Sequence, residues 1–350
     1  MKKILFVAPA VRPPLTEGRK RFAVDLADAL ADEGLEVETL NGAPAKSSAL
    51  MTLVCLHALR HRLHSGRRVD AVVLFPFGRF DALRGQVNAW FIYSARRICA
   101  TANVPCLPLI YSCAGLDLVH LGKRFAPALA VGRSGAGITP LHLGIRQMPR
   151  TWRPTAPVPR KLLFLCGYQE PSPAAWRGVL EERGLLDLLR AGDQLAALGM
   201  KLTVAIPFLR ERTARTRLVE LVCRTCPRLE IVMLDEVDTE ALFMTHDAFV
   251  FPYRCDHAVF VPTSLLEAMA LGIPVIAAEQ SMYASLTLTS GERCELYAPG
   301  DTAGMVSAAR RLSDSYADAV NRAAAAGAAV RAEWNLEQAA AELRAALAKL

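Results

Sequence analysis

The hydrophobic positions up to residue 111 alternate between short continuous runs and helical periods. The run Ile4–Pro9 predicts a buried strand, while Phe22, Leu26 and Leu30 share one face of a helix predicted over Arg19–Glu33 and ended by Gly34. The pattern then predicts strands at Leu35–Leu40, Ala71–Phe75 and Pro105–Tyr111, with helices at Ser48–His64 and Val87–Ala102. Strands that alternate with helices indicate a parallel sheet covered on both faces.

A proline-rich stretch divides the chain in two. Four prolines between Gly144 and Arg160 exclude a helix or a central strand there and predict a linker. The alternation then resumes. It predicts strands at Lys161–Leu165, Lys201–Pro207, Leu229–Leu234, Ala248–Pro252 and Pro274–Ala278, and helices at Gly184–Leu198, Thr213–Cys226 and Pro262–Leu271. We therefore expect two open α/β domains, whose ligands bind beyond the carboxyl ends of the strands.

The composition agrees with this architecture. The 350 residues suffice for two domains, and with 52% hydrophobic and 21% charged residues the chain is not mainly disordered. No apolar run approaches the roughly 18 residues of a membrane-spanning helix. The nine cysteines are odd in number and scattered, which is typical of a reducing compartment, so we expect a cytoplasmic protein.

The charge is uneven. Residues 1–160 hold 22 basic and 10 acidic side chains, whereas residues 161–350 hold 19 and 24. The basic half suits phosphates, an acidic acceptor or the inner face of an anionic membrane. One predicted helix face carries basic side chains beside leucines, which favours a solvated basic face over a metal site and also suits peripheral contact with such a membrane. The face holds His57, His61 and His64, beside Arg60, Arg62, Arg67 and Arg68 and next to Leu53, Leu56 and Leu59.

The most informative segment runs from Phe251 to Ile276. Pro262 suits the first turn of a helix, so the N–H groups and hydroxyls of Thr263 and Ser264 would lie where the helix dipole favours an anion. Glu267, about one turn further, can accept hydrogen bonds from a ribose diol. Two interpretations remain open: a phosphate cradle, and a capped helix with a solvated glutamate.

The part of this segment from Leu265 to Ile276 resembles the nucleotide-binding signature of the family-4 retaining glycosyltransferases. The order of other segments is also similar, including Ile4–Pro9 with its following helix, Pro140–Ile145, Leu162–Gly167, Arg183–Leu185 and Leu296–Asp301. The resemblance implies an α/β GT-B fold, in which two Rossmann-like domains place their parallel sheets on either side of an interdomain cleft. It also implies an acceptor-binding domain over residues 1–150, a nucleotide-sugar-binding domain over 151–330, and a C-terminal helix over 331–350 that packs back on the first domain.

The resemblance further implies residue roles in the second domain. Glu267 matches the second glutamate of the family's E-x7-E motif, which holds the ribose, while Val259 occupies the first position. Arg183 replaces the lysine of a Lys-Gly pair that neutralises the diphosphate. The candidate catalytic residues are Arg183, Arg254 and Asp256, and the candidate donor-binding residues are Gly167, Tyr168, Thr263, Ser264, Leu265 and Glu267.

In the first domain, the loop after the first strand corresponds in position to a glycine-rich turn of the family. Glu17, Gly18 and Arg19 are the candidates there for contact with an acceptor. Asp117 lies where relatives often carry a histidine facing the sugar, and a helix N-cap is the alternative role for it.

The activity implied by the resemblance is a retaining glycosyltransferase of the hexosyltransferase type. It would move a sugar from a nucleoside diphosphate sugar to a polysaccharide, a lipid-linked glycan or a small-molecule glycan. No cofactor, obligatory metal or nucleic-acid partner is expected. The alternatives are a nucleotide-sugar epimerase or a phosphorylase of the same fold, and a non-catalytic protein that binds nucleotide sugars.

Overall fold

A computed structural model describes most of the chain. The described residues are 3–9, 18–41, 48–76, 82–111, 124–131, 135, 137–145, 151–166, 176–206, 209, 211–235, 238–254, 262–280 and 292–350. They form two compact units. Of the described residues, unit 1 holds those from 3 to 145 and from 334 to 350, and unit 2 holds those from 151 to 333.

Unit 1 is a parallel α/β sheet. Its strands are β1 (Lys3–Ala8), β2 (Glu36–Asn41), β3 (Ala71–Leu74), β4 (Cys106–Ile110), β5 (Ala128–Val131) and β6 (Ile138–Leu141), and its first helices are α1 (Gly18–Asp32), α2 (Ser48–His64) and α3 (Ala82–Thr101). The strand order is β2-β1-β3-β4-β5-β6, and all five pairings are parallel. Buried side chains of α2 and α3, such as Leu59 and Phe91, pack on one face of this sheet with Leu5 and Val72.

Unit 2 repeats the architecture. Its strands are β7 (Lys161–Leu165), β8 (Lys201–Ala205), β9 (Ile231–Leu234), β10 (Ala248–Phe251), β11 (Val275–Ala278) and β12 (Glu295–Tyr297). Its helices are α4 (Leu185–Arg190), α5 (Gly192–Ala197), α6 (Arg212–Thr225), α7 (Thr239–Met244), α8 (Thr263–Leu271), α9 (Thr302–Asp314) and α10 (Tyr316–Glu333), and a π-helical turn spans Gly178–Glu182. None of the helices in the described segments is long and apolar enough to cross a bilayer.

The strand order of unit 2 is β12-β11-β10-β7-β8-β9, again parallel throughout. Numbered from β7, this is the 3-2-1-4-5-6 order of the Rossmann fold. The predicted pair of Rossmann-like domains is therefore confirmed.

The last helix, α11 (Leu336–Leu347), packs on unit 1 although it follows unit 2 in the chain. Its buried Leu343 belongs to a face that contacts α1 and β6. Arg344 pairs with Glu33 at the end of α1, and Glu342 accepts a hydrogen bond of 2.8 Å from the backbone N–H of His142. Asn335 caps the helix by accepting from the N–H of Gln338.

The structure differs from the sequence-based expectations at particular points. The helix predicted over Gly184–Leu198 is interrupted at Ala191, immediately before Gly192. Pro262, predicted in the first helical turn, is the N-cap residue of α8 and has extended backbone angles. By contrast, α2 spans the predicted residues 48–64 without a shift.

Candidate active site

The order of strands in unit 2 defines where its ligand site lies. The chain leaves β7 towards β8 on one side, and β10 lies on the other side of β7. The connections reverse direction between these two strands, and in open parallel sheets the crevice beyond the carboxyl ends at such a reversal is the usual ligand site. Residues immediately after Leu165 and Phe251 therefore border the candidate site.

The turn carrying Arg183 is attached to the chain that follows β10. The backbone N–H of Arg254 donates to the carbonyl oxygen of Glu182 at 2.8 Å. Gly184 has a φ of +69°, and a Cβ there would lie 1.8 Å from the carbonyl oxygen of Pro252. Because only glycine tolerates both the left-handed angle and this close approach, the Arg-Gly pair is held at the end of β10.

The guanidinium of Arg183 lies among groups from both strands. It donates to the Sγ atom of Cys166, the residue after β7, and its Cζ atom is 5.7 Å from the ring centroid of Tyr253, two residues after β10. Tyr253 in turn stacks on Phe251 with ring centroids 3.9 Å apart. The arrangement is a cation–π contact in a largely dehydrated setting.

Arg183 stays cationic near pH 7, because a guanidinium does not lose its proton in proteins. Burial acts against its charged form, but the thiol of Cys166 and the phenol of Tyr253 leave its pKa above the ordinary value. Burial raises the pKa of Cys166 and of Tyr253, so both remain neutral near pH 7. Arg183 is therefore a fixed positive charge at the carboxyl edge of the sheet.

A second cation, Arg254, is held at the same edge by a buried carboxylate. Its Nε and a terminal nitrogen both donate to Asp187 of α4, whose side chain is 1% exposed, whereas the side chain of Arg254 is 39% exposed. The bonds to Asp187 raise the pKa of Arg254. A Cβ on Gly300 would lie 3.7 Å from the guanidinium, so Arg254 also packs on the turn after β12. Such fork-to-fork pairing fixes both position and orientation.

A buried polar atom lies close to this pair. Burial raises the pKa of Tyr297, the last residue of β12, and the charges of Asp187, Arg254 and Asp301 also act on it. Its hydroxyl is buried and has no hydrogen-bond partner within the described part of the chain. Buried hydroxyls normally have a partner, so this one is available to a water molecule or to a ligand.

The start of α8 contributes backbone donors after β10. The N–H groups of its first two residues, Thr263 and Ser264, have no acceptor one turn earlier in the helix. Thr263 and Ser264 are partly exposed there, and so is Glu267, one turn later. Leu265 differs, because its side chain is fully buried and its N–H donates to the carbonyl oxygen of Pro262 at 3.1 Å. Its contribution at the site is therefore to the core beneath the first turn.

The other candidate residues fall elsewhere. Asp256, Gly167, Tyr168, Glu17 and Asp117 lie outside the described residues. Gly18 and Arg19 form the start of α1 in unit 1. The described residues include no group of three or more His, Cys, Asp or Glu side chains arranged to hold a metal ion.

The sequence-based candidates omitted Asp187, Cys166 and Tyr253. The signal for Asp187 was an acidic residue within the apolar stretch Leu185–Leu189, where a buried carboxylate needs a cationic partner. Tyr253 stood inside the segment already singled out, but the stacking on Phe251 depends on the backbone direction after β10. Cys166 had no distinguishing signal, since it reads as one more apolar residue at the end of a strand.

Comparison with solved structures identifies the fold. HepE of Anabaena in complex with UDP-glucose aligns with a TM-score of 0.69 at 15% identity, over 100% of both chains. Sucrose-phosphate synthase from Thermosynechococcus elongatus gives 0.75 at 15% identity, over 100% of this chain and 99% of the other. The catalytic domain of starch synthase IV from Arabidopsis thaliana, bound to ADP and acarbose, gives 0.69 at 9% identity, over 100% and 99%. At these identities the likeness establishes the GT-B fold alone.

Residues 176–315 match the family model described as glycosyl transferases group 1. The matched region lies in unit 2 and includes Arg183, Asp187, Arg254 and α8. No curated protein sequence matches the chain. The fold and the family match over residues 176–315 together support a glycosyltransferase of the GT-B class.

Proposed function

We propose that the chain transfers a sugar from a nucleoside diphosphate sugar to a glycan acceptor with retention of anomeric configuration. The observation that carries the donor assignment is the pair of guanidinium groups, Arg183 and Arg254, at the carboxyl ends of β7 and β10. Arg183, the partly exposed guanidinium of Arg254, which is already paired with Asp187, and the N–H groups at the start of α8 are donors of the kind that bind a diphosphate.

The mechanism that we propose depends on stabilising the negative charge of the leaving diphosphate. When the bond between the sugar and the phosphate breaks, negative charge grows on the diphosphate. Arg183 and Arg254, with the first turn of α8, would stabilise that charge without moving, and fixed donors of this kind contribute most to catalysis. Because Arg183 and the N–H groups of α8 would stabilise the leaving group, we propose that the reaction has no obligatory metal ion.

The proposal also assigns binding sites to the ribose and to the acceptor. Glu267, one turn into α8, would accept hydrogen bonds from the ribose hydroxyls. The acceptor, a polysaccharide, a lipid-linked glycan or a small glycan, would be held by unit 1 through the loop that leads to Gly18 and Arg19. The seven cysteines among the described residues are free, which supports a reducing, cytoplasmic location.

Ligand-induced thermal shifts test the donor site. A nucleotide at a hundred times its Kd adds about 2.7 kcal/mol, which for a unit of this size raises the Tm by about 5–10 °C. We expect such a shift with one series among UDP, GDP, ADP and TDP and their sugars, a loss of it in Arg183→Ala and Glu267→Ala, and retention in the control Arg217→Ala on exposed α6. No shift with any series would contradict the donor site.

Product analysis tests the reaction. With the donor identified, NMR of the product formed on an acceptor panel should show the anomeric configuration of the donor. An inverted product would contradict the retaining mechanism. Donor turnover without an acceptor would instead indicate an epimerase, phosphate-dependent release would indicate a phosphorylase, and binding without turnover on the whole panel would indicate a non-catalytic protein.

A further inference from the structure

Helices α2 and α3 of unit 1 expose large apolar side chains on their outer surface. Leu50 and Leu53 of α2 are 51% and 52% exposed, and Trp90 and Tyr93 of α3 are 40% and 48% exposed. These are four of the eight exposed large hydrophobic side chains within the described residues. We call the outward surface of these two helices the α2–α3 face.

The exposed positions follow helical spacing. On α2 they are Leu50, Leu53, His57, Arg60, His61 and His64, and on α3 they include Trp90, Tyr93 and Arg97. The two helices pack against each other on one side of the sheet. Both lead from the carboxyl end of one strand to the start of the next, so they run in the same direction. At a rise of about 1.5 Å per residue, Leu53 and Trp90 lie about 8 and 12 Å from the starts of their helices, at similar heights.

The α2–α3 face carries positive charge only. Neither Ser48–His64 nor Ala82–Thr101 contains an aspartate or a glutamate. Arg60 and Arg97 are exposed, and within the described part of the chain neither forms an ion pair. The face thus combines exposed apolar groups with uncompensated cations.

The structure changes which residues are assigned to this face. Arg62, which the sequence placed on it, is buried and donates from Nε to Glu38 at 2.7 Å. Leu56 and Leu59 belong to the core of unit 1. The aromatic residues of α3, which the sequence pattern did not connect with α2, take their place beside Leu50 and Leu53.

We propose that the α2–α3 face binds the surface of an anionic lipid bilayer. Arginine side chains near such a surface are each attracted by about 1 kcal/mol, and Trp and Tyr favour the interface between headgroups and acyl chains. Nucleic acid would satisfy the arginines and could stack on the aromatic rings, but it offers no apolar phase for Leu50 and Leu53. An anionic bilayer satisfies all three kinds of side chain.

Flotation with lipid vesicles tests the proposal on the whole chain. We expect binding to vesicles of phosphatidylcholine with phosphatidylglycerol at low salt, and little binding to phosphatidylcholine alone. Arg97→Gln should weaken partitioning about fivefold, because it removes about 1 kcal/mol of attraction. Leu53→Gln should weaken it by a similar factor. The matched controls Arg217→Gln and Val219→Gln, on exposed α6 of unit 2, should bind like the parent.

Fluorescence provides a second, local readout. Of the four tryptophans, Trp152 and Trp334 are buried and Trp176 is partly buried, whereas Trp90 is exposed. Anionic vesicles should therefore shift the emission to shorter wavelength, and Trp90→Phe should abolish the shift while retaining most of the binding.

Three results would overturn the proposal. They are no binding to anionic vesicles at low salt, equal loss in the variants of unit 1 and in the controls of unit 2, and binding without a shift from Trp90. Tighter binding to single-stranded RNA than to vesicles, lost in the same unit 1 variants, would assign the face to nucleic acid instead.

Discussion

The pair formed by Asp187 and Arg254 allows a quantitative test of the site geometry. The carboxylate of Asp187 is almost completely buried and receives two hydrogen bonds from Arg254. The only other cation near it in the described residues is Arg190, 3.7 Å away on the exposed side of α4. Removing the guanidinium therefore leaves a buried charge with little compensation.

We expect Arg254→Met to destabilise unit 2 by about 3 kcal/mol. Breaking a buried ion pair by removing one partner costs about 3–5 kcal/mol, and the lower end applies because Arg254 is partly exposed and Arg190 remains. For a unit of this size the Tm should fall by about 6–12 °C. Asp187→Asn, which keeps the shape and removes the charge, should cost about 1 kcal/mol.

The double variant is the discriminating measurement. In Asp187→Asn/Arg254→Met no charge is buried, so the loss should be smaller than in Arg254→Met alone. Urea unfolding of the four proteins gives the coupling energy, and Arg217→Met on exposed α6 should stay within about 0.5 kcal/mol of the parent. Additive losses, or a loss below about 1 kcal/mol in Arg254→Met, would refute the assignment of Arg254 as the partner that holds Asp187.

Three further perturbations follow from the structure. Gly184→Ala should lower the free energy of unfolding in urea by several kcal/mol, because its Cβ would clash with a carbonyl oxygen. Gly34→Ala, also at positive φ but in open space, should cost only about 1–2 kcal/mol. Equal costs would contradict the close approach at Gly184. Burial lowers the pKa of His246 below its ordinary 6.5, so below that pH the unfolded state binds a proton that the folded state does not. The Tm should therefore fall as the pH drops below about 6.5. His246→Gln should reduce this pH dependence. Leu343→Ala in α11 should cost about 2–5 kcal/mol in the transition of unit 1, and a loss confined to unit 2 would show that α11 does not stabilise unit 1.

Local patterning was sufficient for most secondary structure. The helix over residues 48–64 and the strand over 161–165 match their predicted bounds, because apolar periodicity and flanking breakers act over a few residues. The π-helical turn Gly178–Glu182 was not predicted, since it lies in the chain before Gly184, which packs against the end of β10. The interruption at Ala191 was not predicted either, since it precedes Gly192, which lies against Cys226.

The candidate site was likewise predicted only in part from the sequence. A basic residue before Gly184, an arginine after Phe251 and a helix beginning near Pro262 were visible in the sequence, as was their order in a resembling family. Only the family resemblance implied that they share one site; periodicity and composition did not, because the chain around Arg183 meets Arg254 through the hydrogen bond from Arg254 to Glu182 at the end of β10. The choice of Asp187 as the buried partner of Arg254 is likewise a matter of long-range packing.

The sequence by itself determined the alternating elements, the two-domain class and the basic character of the first half, because each depends on short-range pattern or on composition. Only the tertiary structure decided which charged groups are buried in pairs, as Arg62 is with Glu38, and which apolar groups remain exposed, as Trp90 does beside α2. Burial depends on contacts between residues far apart in the chain, so the same helical periodicity is compatible with a buried face and with an exposed binding surface.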